Sequence, residues 1–437
     1  MRSRQLHSVV ALIGTLSSAA AAQRTAPAID SLRLRGLHEE ATQRDPRQRQ
    51  FGLHATASEL RLRNIASTRL PSVNGSGLAQ YQSAVTHFDV RLPNVTIPAP
   101  PHDTYDGHLD VQQSLLNPTL APQQSLERAR LAESQAEVRT SVFARREDVN
   151  EAFFTAALTE GRIRETLAAI TDLETRLREA TVRFREGAAL PSDTAVVAAT
   201  ILQRRQDLYQ VRADHRAAVA RLSELTGRPI ADTAPTVLPD LSRAVAQALA
   251  ALDRLRARPE YEQFSASRDR IARQEQLAKA KDKPQVAAFA RLGYGRPGLN
   301  VLSSSFSGYW LGGVQVQWSP WNWGNTEHDR EELEIEREIV STNEAAFTQT
   351  LRRGIQQSIA TIAGLDSALA LDDQIVVLRE RIEIEARAKL TEGVITAAEY
   401  ADRSTDVLNA RSARAQHRVQ LAHARATLLT TLGVEIP

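Results

Sequence analysis

The run of this sequence closest to a chemical motif is GYGRPG, from Gly293 to Gly298, which matches the G-x-G-x-x-G pattern of phosphate-binding turns. In that pattern the glycines let the backbone approach a phosphate, and the N-terminus of a following helix binds the anion. Here Pro297 lies inside the run, and the residues after it read as a strand. The run is therefore predicted to be a strand end and a loop.

The ten histidines and the absence of cysteine limit the remaining chemistry. No H-E-x-x-H or similarly tight spacing occurs, and the spacing of His417 and His423 does not align them on one helix face. Without cysteine there is no disulfide, thiolate zinc site or thiol nucleophile. We therefore predict no catalytic residue, no metal site and no cofactor, and we expect that the protein is not an enzyme.

Two further runs place glycine beside apolar residues and carboxylates: RFREGAALPSD, from Arg183 to Asp193, and AKLTEGVITAAEY, from Ala388 to Tyr400. Gly187 and Gly393 can take the positive φ of a tight reversal between helices. The apolar residues after each glycine are poor choices for a solvated turn. They are Ala188, Ala189 and Leu190 in the first run and Val394 and Ile395 in the second. Either a partner protein or a neighbouring hairpin is expected to cover them.

Long helices are predicted to carry both runs. Aromatic residues make up only 5% of the chain, and no proline occurs from Ser125 to Leu190 or from Trp321 to Ile436. A helix of roughly 60 residues would be about 90 Å long, which indicates a rod rather than a globular domain. The net charge is +2, from 54 basic and 52 acidic residues, and no basic face stands out. Nucleic acid is therefore not expected as a partner.

The sequence is internally repeated. Glu186-Gly187 recurs as Glu392-Gly393, Asp193 as Glu399, Leu222 as Leu428 and Gly227 as Gly433, all at one spacing. We therefore divide the mature chain into two structural repeats, residues 23–230 and 231–437. Each is predicted to contain an opening helical segment, two strands and a helical hairpin. The strands are placed at 72–90 and 106–115 and at 285–295 and 308–319, and the hairpin tips near 187–192 and 393–396.

The first 22 residues have the features of a secretory signal peptide. Arg2 and Arg4 precede an apolar run from Val9 to Leu16, and a run of alanines then offers a cleavage site before Gln23. The apolar run is too short to span a bilayer. The chain is therefore predicted to leave the cytoplasm and to be periplasmic, secreted or embedded as a β-barrel.

The last predicted strand alternates in a way that suits a membrane. One face is apolar and begins and ends with Trp310 and Trp318, whereas the other face is mostly polar. At ~3.3 Å per residue and a tilt of about 40°, these tryptophans lie about 20 Å apart along a membrane normal, which suits two aromatic belts. The alternative is a half-buried strand of a soluble sheet. Four strands cannot close a membrane barrel, so several copies must contribute.

The order of signal peptide, strand pair and long helical hairpin, followed by the same elements again, resembles the TolC family of outer-membrane efflux and secretion ducts. The two tip runs are similar to the helical turns of that family, and VQWSPWNWGNT is similar to its strand-to-helix junction. The resemblance implies a mainly α-helical homotrimer with a small β part. Duplicated long hairpins would form an α-barrel, and four strands per chain would contribute to a twelve-stranded transmembrane β-barrel.

The resemblance also implies location and function. Such ducts lie in the outer membrane of Gram-negative bacteria, in contact with its lipid, and extend into the periplasm. They passively conduct substrates for a tripartite efflux pump or a type I secretion system, and they dock onto a periplasmic adaptor protein and an inner-membrane pump of the RND, ABC or MFS type. The expected adaptor contacts are Gly187, Ala188, Leu190, Gly393, Val394 and Ile395. The alternative function is a soluble periplasmic coiled-coil scaffold or adaptor.

A pore constriction at Asp193, Glu399 and Asp402 is a further implication of the resemblance. Glu399 and Asp402 are three residues apart and share a helix face. Three copies would place six carboxylates around an aqueous mouth that favours cations. The alternative is an ordinary solvated helix face.

The residues that close this mouth in the family are not all present. A tyrosine and an arginine of the second hairpin form the family's latch, but the matching positions here are Leu390 and Ile395. The available substitutes are Arg185, Tyr400 and Arg403, and apolar packing is the other way to hold the entrance.

Overall fold

The computed structural model describes residues 31–86, 99–187, 190–250, 258–301 and 303–437. The helices are α1 (Leu34–Arg44), α2 (Gln48–Ser67), α3 (Leu120–Phe143), α4 (Arg145–Arg185), α5 (Pro191–Thr226), α6 (Ser242–Ala250), α7 (Pro259–Lys281), α8 (Asn325–Thr391) and α9 (Ala397–Thr431). The strands are β1 (Leu32–Arg33), β2 (Ser72–Tyr81), β3 (Asp103–Leu116), β4 (Thr236–Val237), β5 (Gln285–Arg296) and β6 (Ser307–Gln317). The predicted signal peptide lies outside the described residues.

Four of these strands form one antiparallel sheet in the order β2-β3-β5-β6. Each repeat contributes one strand pair, and the two pairs meet where β3 pairs with β5, from Tyr105 opposite Arg296 to Leu116 opposite Val286. β2 and β6 lie at the two edges, where each has, among the described residues, a partner strand on one side only. The sheet is therefore open on both sides within a single chain.

The strand boundaries differ from the predicted ones, most clearly in the first strand. The sequence predicts a strand over 72–90, but β2 ends at Tyr81, and residues 87–90 lie outside the described residues. Tyr81 pairs with Asp103, and the two prolines just before Asp103 lack the N–H groups that a longer ladder would need. β3 is longer than the predicted 106–115 at both ends.

The second strand pair lies closer to its prediction, although β6 ends two residues early. β5 extends one residue beyond the predicted 285–295, and β6 begins one residue before the predicted 308–319. β6 ends at Gln317, before Trp318, whose indole N–H instead donates to the backbone carbonyl of Asp282 at 3.1 Å. Strand pairing thus ends at the residue before Trp318, whose side chain stabilises the turn into α8.

The two faces of the sheet differ in polarity. One face is apolar, and across the three strands β3, β5 and β6 it carries the neighbours Leu109, Leu292 and Trp310. The opposite face is charged and polar over the same three strands; its residues include Asp106, His108, Asp110, Arg291 and Tyr309. This two-faced pattern is that of a sheet between hydrocarbon and an aqueous space.

The helices of the two repeats are similar but not identical. α8 runs for 67 residues without a break, which corresponds to about 100 Å at 1.5 Å per residue. The sequence predicts an equally unbroken helix in the first repeat, but there Ala144 separates α3 from α4. Ala144 keeps right-handed dihedral angles, φ −58 and ψ −24, so the interruption is local and does not redirect the chain.

The largest apolar core joins the repeats through α1, α4, α5 and α9. Residues that recur in the sequence have matching positions in it, because Leu222 and Leu428 are both fully buried. The glycines that recur behave alike as well: Gly227 and Gly433 have φ values of 63° and 75° at the ends of α5 and α9. The internal repetition of the sequence is therefore also a repetition of structure.

Candidate pore entrance and membrane sheet

The two hairpin tips have the same turn geometry. Gly187, after α4, has φ 75°, and Gly393, after α8, has φ 74°. Each glycine N–H donates to the backbone carbonyl three residues earlier, at 3.1 Å, which closes the last helical turn. An L side chain is strained at this φ, so the glycines are required by the reversal itself.

The residues beside the glycines are exposed, as the tip sequences suggest. Leu190 and Val394 both have an exposed fraction of 66%, and Ile395 is partly buried. Ala188 and Ala189 lie outside the described residues. Each tip thus presents at least one large apolar side chain that the chain itself does not cover.

The predicted pore residues Asp193 and Glu399 are helix caps in the structure. Asp193 Oδ2 accepts the N–H of Leu190 at 3.0 Å, at the start of α5. Glu399 Oε2 accepts the N–H of Thr396 at 2.9 Å, and the hydroxyl of Thr396 accepts the N–H of Glu399 at 3.2 Å, which completes a capping box before α9. The sequence T-x-x-E from Thr396 to Glu399 is the signal that could have predicted this role.

Asp402 differs from these two carboxylates. It is exposed, and among the described residues it makes no ion pair or side-chain hydrogen bond. Its carboxylate therefore lies on the surface of α9 without a cationic partner among the described residues.

Tyr400 lies at the centre of a polar network between the hairpins. It is 1% exposed, and its hydroxyl lies 2.5 Å from Glu383 Oε1 and 3.3 Å from Asp172 Oδ2. Arg387 Nη2 lies 3.2 Å from the same Glu383 oxygen and 3.5 Å from Asp172 Oδ1. Because these residues belong to α4, α8 and α9, the network ties the first hairpin to the second.

Burial and then the hydrogen bond to Glu383 raise the pKa of Tyr400 to about 12. The phenol is therefore neutral at physiological pH and can donate to a carboxylate. The Arg176 guanidinium packs 5.5 Å from the centre of the Tyr400 ring and contacts Asp172 and Glu179. Burial lowers the pKa of Arg176, but the hydrogen bond to Glu179 and the neighbouring negative charges outweigh it, so that the pKa is raised overall.

Arg183 makes a second connection between the hairpins. It extends from the last turn of α4, and its two terminal nitrogens donate to the backbone carbonyls of Leu390 and Thr391 at 2.8 and 2.6 Å. These carbonyls end α8, where a helix favours a cation. Leu390 thus takes part through its backbone, although its side chain cannot form the family's usual latch.

Of the suggested substitutes, only Tyr400 joins the hairpins. Arg403 contacts Asp406 on its own helix, at 3.7 Å, and Arg185 makes no ion pair among the described residues. Sequence reasoning missed Asp172, Arg176, Arg183, Glu383 and Arg387. The pairs Asp172–Arg176 and Glu383–Arg387 have the i,i+4 spacing that a sequence shows. The contacts that join the hairpins are distant in sequence, and a single sequence holds no signal for them beyond the charges themselves.

A cavity of about 490 Å³ separates the two tips. Its walls combine arginine side chains with apolar tip residues, and they include Arg176, Arg183, Leu190, Val394 and Ile395. The residues that form the polar contacts between the hairpins therefore also line the cavity between the tips.

In the sheet, the run GYGRPG has a packing role. The ring of Tyr309, on β6, lies over Gly293 of β5, in the space that a Cβ atom would need, and its hydroxyl donates to Asp106 Oδ1 of β3 at 2.5 Å. Arg291 pairs with Asp110 at 2.6 Å. Together these contacts hold β3, β5 and β6 on the polar face. Trp310 lies on the opposite, apolar face, with an exposed fraction of 75%. Trp318 follows the end of β6 and is 59% exposed.

Among the described residues no group of three or more His, Cys, Asp and Glu side chains is arranged to hold a metal ion. No helix in the same part of the chain is long and apolar enough to cross a membrane.

Comparison with known proteins agrees with this architecture. A model of the outer membrane efflux protein family matches residues 251–434. No curated protein matches the chain in sequence.

Several solved structures share the fold. The outer membrane protein VceC from Vibrio cholerae is 15% identical, with a TM-score of 0.67, over 92% of this chain and 97% of that chain. The CmeC outer membrane channel of Campylobacter jejuni is 13% identical, with a TM-score of 0.66, over 92% and 85%. The open-state MtrE outer membrane channel of Neisseria gonorrhoeae is 17% identical, with a TM-score of 0.66, over 92% and 89%. A family match in the second repeat and a fold shared over both repeats are thus what connects the chain to known proteins.

Proposed function

We propose that three copies of this chain form an outer-membrane exit duct, which passively conducts substrates for a tripartite efflux pump or a type I secretion system. The observation that carries the proposal is a two-faced sheet with both edges open, followed by a helix, α8, about 100 Å long. Family and fold are those of channels, not of enzymes. A soluble scaffold would have no use for such a sheet.

The open edges of the sheet support assembly. An unpaired strand edge cannot face hydrocarbon, because no water is present there to satisfy its backbone groups. The free edge of β6 in one copy can pair with the free edge of β2 in the next. Three copies close a ring of twelve strands, with the apolar face toward lipid and the polar face toward the lumen.

Exposed apolar rows on the helices support the same assembly. On α8, four aliphatic residues at heptad-like spacing have exposed fractions between 41% and 58%; they are Leu371, Ile375, Leu378 and Ile382. On α5, Leu202 and Tyr209 are 65% and 70% exposed. Such continuous apolar surface on a helix is normally covered by another helix. We assign these rows to contacts between neighbouring copies.

The tips are the proposed contacts for a periplasmic adaptor, which would in turn join an inner-membrane pump of the RND, ABC or MFS type. Leu190, Val394 and Ile395 supply apolar surface, and Gly187 and Gly393 keep the turns narrow. Ala188 belongs to the same proposal by its place in the sequence.

At the constriction, the proposed charge comes chiefly from Asp402. The carboxylates of Asp193 and Glu399 each accept a backbone N–H at the start of a helix, α5 and α9 respectively. Trp310 and Trp318 are the proposed membrane-interface belts, since Trp310 extends from the apolar face of β6 and Trp318 is exposed just after the end of that strand.

Assembly can be tested with a single charge on the α8 row. In Leu378→Asp, a carboxylate would be buried between copies without a partner, which costs several kcal/mol. We expect the trimer share of detergent-extracted protein, measured by light scattering, to fall by at least about tenfold. Ala370→Asp adds the same charge to an exposed position of α8 off this row and should leave the trimer intact. Monomeric wild-type protein in the soluble fraction would contradict the proposal.

A further inference from the structure

Three of the four tryptophans of the chain lie together where β6 turns into α8. Trp318, Trp321 and Trp323 have exposed fractions of 59%, 73% and 82%. The rings of Trp321 and Trp323 pack edge to face, with centroids 5.8 Å apart. Indole rings exposed to this extent are unusual on a solvated surface, but they are favoured at the interface between hydrocarbon and water.

The backbone of this turn is held in place rather than loose. Asp282 Oδ1 accepts the amide of Asn322 at 3.0 Å and the hydroxyl of Thr326 at 2.6 Å. The carbonyl of Asp282 accepts the indole N–H of Trp318. Trp323 has φ 57°, which is rare for a bulky residue. A strained residue persists only where the surrounding contacts fix it, so the exposed orientation of Trp323 is built into the fold.

Lysine is concentrated at the same place. The chain has four lysines, and Lys279, Lys281 and Lys283 lie at the end of α7 and just before β5, on both sides of Asp282. Lys279 pairs with Glu275 at 2.7 Å. Lys281 and Lys283 are exposed and make no ion pair among the described residues. Lys281 and Lys283 are thus the chain neighbours of Asp282, which contacts Trp318 and Asn322.

The matching turn of the first repeat has none of these features. There Asn117 caps the turn, with its side-chain oxygen accepting the N–H of Thr119 at 3.0 Å, as its counterpart Asn322 does for Gly324 at 3.2 Å. Neither tryptophan nor lysine occurs from Ser67 to Ala129. The turn itself therefore does not need tryptophan or lysine, and their presence in the second repeat requires another reason.

We propose that the β6–α8 junction binds the headgroup of an anionic glycerophospholipid in the periplasm-facing leaflet, with the phosphate on Lys281 and Lys283 and the glycerol and upper acyl region against Trp321 and Trp323. The proposal rests on the duct orientation proposed above, in which the helical end of the sheet faces the periplasm. Lysine side chains carry their charge to the headgroups while their methylenes stay on apolar surface. Each lysine near an anionic membrane surface adds about 1 kcal/mol of attraction, which is about fivefold in affinity.

The nearby acids do not cancel this charge. The carboxylate of Asp282 is occupied by Asn322 and Thr326, and Glu327 pairs with Arg330 at 2.8 Å. Asp329 is exposed one helical turn further along α8, toward the periplasm and away from the leaflet. In the assembled duct, three such sites would surround the base of the barrel.

The tryptophans provide the reporter for a direct test. In Trp310→Phe, only the three junction indoles remain. The purified full chain is reconstituted in vesicles of equal parts phosphatidylglycerol and phosphatidylcholine, with bromine on the acyl chains of one lipid or of the other. We expect stronger quenching of tryptophan fluorescence by brominated phosphatidylglycerol, with a preference on the order of tenfold.

Two lysine variants separate charge from shape. When Lys281→Gln and Lys283→Gln are added to Trp310→Phe, the indoles should still be quenched. The ratio of quenching by brominated phosphatidylglycerol to quenching by brominated phosphatidylcholine should fall close to one. Adding Lys389→Gln, which removes the only lysine at the other end of the molecule, should leave the preference unchanged. Equal quenching by both lipids in Trp310→Phe would overturn the proposal, and so would the absence of quenching, which would show that a neighbouring chain covers the junction. Channel currents from the same vesicles report separately whether the duct itself forms.

Discussion

At the scale of single residues, the entrance depends on a buried phenol between carboxylates. Tyr400 lies within hydrogen-bonding distance of Glu383 and is 1% exposed. Charge-assisted hydrogen bonds of this kind are stronger than neutral ones, and losing the donor leaves the Glu383 carboxylate with Arg387 as its remaining partner. The hydroxyl of Tyr400 is therefore expected to stabilise the contact between the hairpins.

Tyr400→Phe removes this hydroxyl and keeps the ring. We expect the free energy of unfolding to fall by about 1–3 kcal/mol and the basal conductance of the duct to rise, because the hairpins lose one of their connections. Thermal unfolding and planar-bilayer recording measure the two effects. Tyr294→Phe, at an exposed position on the apolar face of β5, is the matched control. Unchanged stability and conductance in Tyr400→Phe would remove the network from the account of the entrance.

A buried histidine gives the core a pH dependence. His38 is 6% exposed and contacts Asn150 Oδ1 at 2.9 Å; burial lowers its pKa from 6.5 to about 4. Because the folded state holds the neutral form, the stabilisation is complete above pH 6.5 and is lost as the pH falls toward 4. We expect a loss of about 3 kcal/mol over this window.

The variant His38→Gln tests that assignment. Its free energy of unfolding should be lower at pH 7 but should fall less steeply between pH 6.5 and pH 4 than that of the wild type. Urea unfolding at a series of pH values gives both slopes. His328→Gln, at an exposed position of α8, should keep the wild-type slope. Identical slopes in wild type and His38→Gln would show that another group titrates.

At the scale of elements, the turns decide where the long helices end. Gly393 has φ 74° and nothing within 4 Å of the position of a Cβ atom, so its requirement for glycine is conformational and not steric. An L residue at this φ costs roughly 1–2 kcal/mol. The reversal at the tip therefore depends on the positive φ of Gly393, which the methyl group of an alanine would destabilise.

Gly393→Ala should accordingly lower the free energy of unfolding by about 1–2 kcal/mol. Gly354→Ala is its matched control, because Gly354 lies inside α8, has no neighbour within 4 Å of its Cβ position, and shows no positive φ. There alanine should raise stability by up to about 1 kcal/mol, since it is the better helix former. Chemical denaturation of both variants distinguishes the two signs. Equal effects would show that the tip does not depend on its glycine.

The same elements show how far sequence reasoning reaches. The absence of proline in α8 is a local signal, and it predicts the long helix correctly. Leu222 and Leu428 recur at one spacing in the sequence, and the structure buries both. The capping role of Glu399 follows from an equally local signal, the T-x-x-E spacing from Thr396, whereas its pore role rests on the resemblance. The contacts of Arg183 with Leu390 and of Tyr400 with Asp172 join residues more than 200 positions apart, and no periodicity in a single sequence encodes them.

At the scale of the whole molecule, one chain is an incomplete object. Its sheet has two free edges, its long helices expose apolar rows, and its tips extend apolar residues away from the core. In the proposed duct, a second copy covers the edges and rows, lipid covers the apolar sheet face, and an adaptor covers the tips. The proposed trimer would thereby create the lumen.

The measurement that tests the duct most directly is the current through the purified protein in planar bilayers under a cation gradient, compared with Asp402→Asn. We predict discrete, cation-selective channels in the wild type, and weaker cation selectivity in Asp402→Asn, because the exposed ring of charge is removed while the helix caps at Asp193 and Glu399 remain. Folded trimers that insert into the bilayer but conduct no ions would contradict the account.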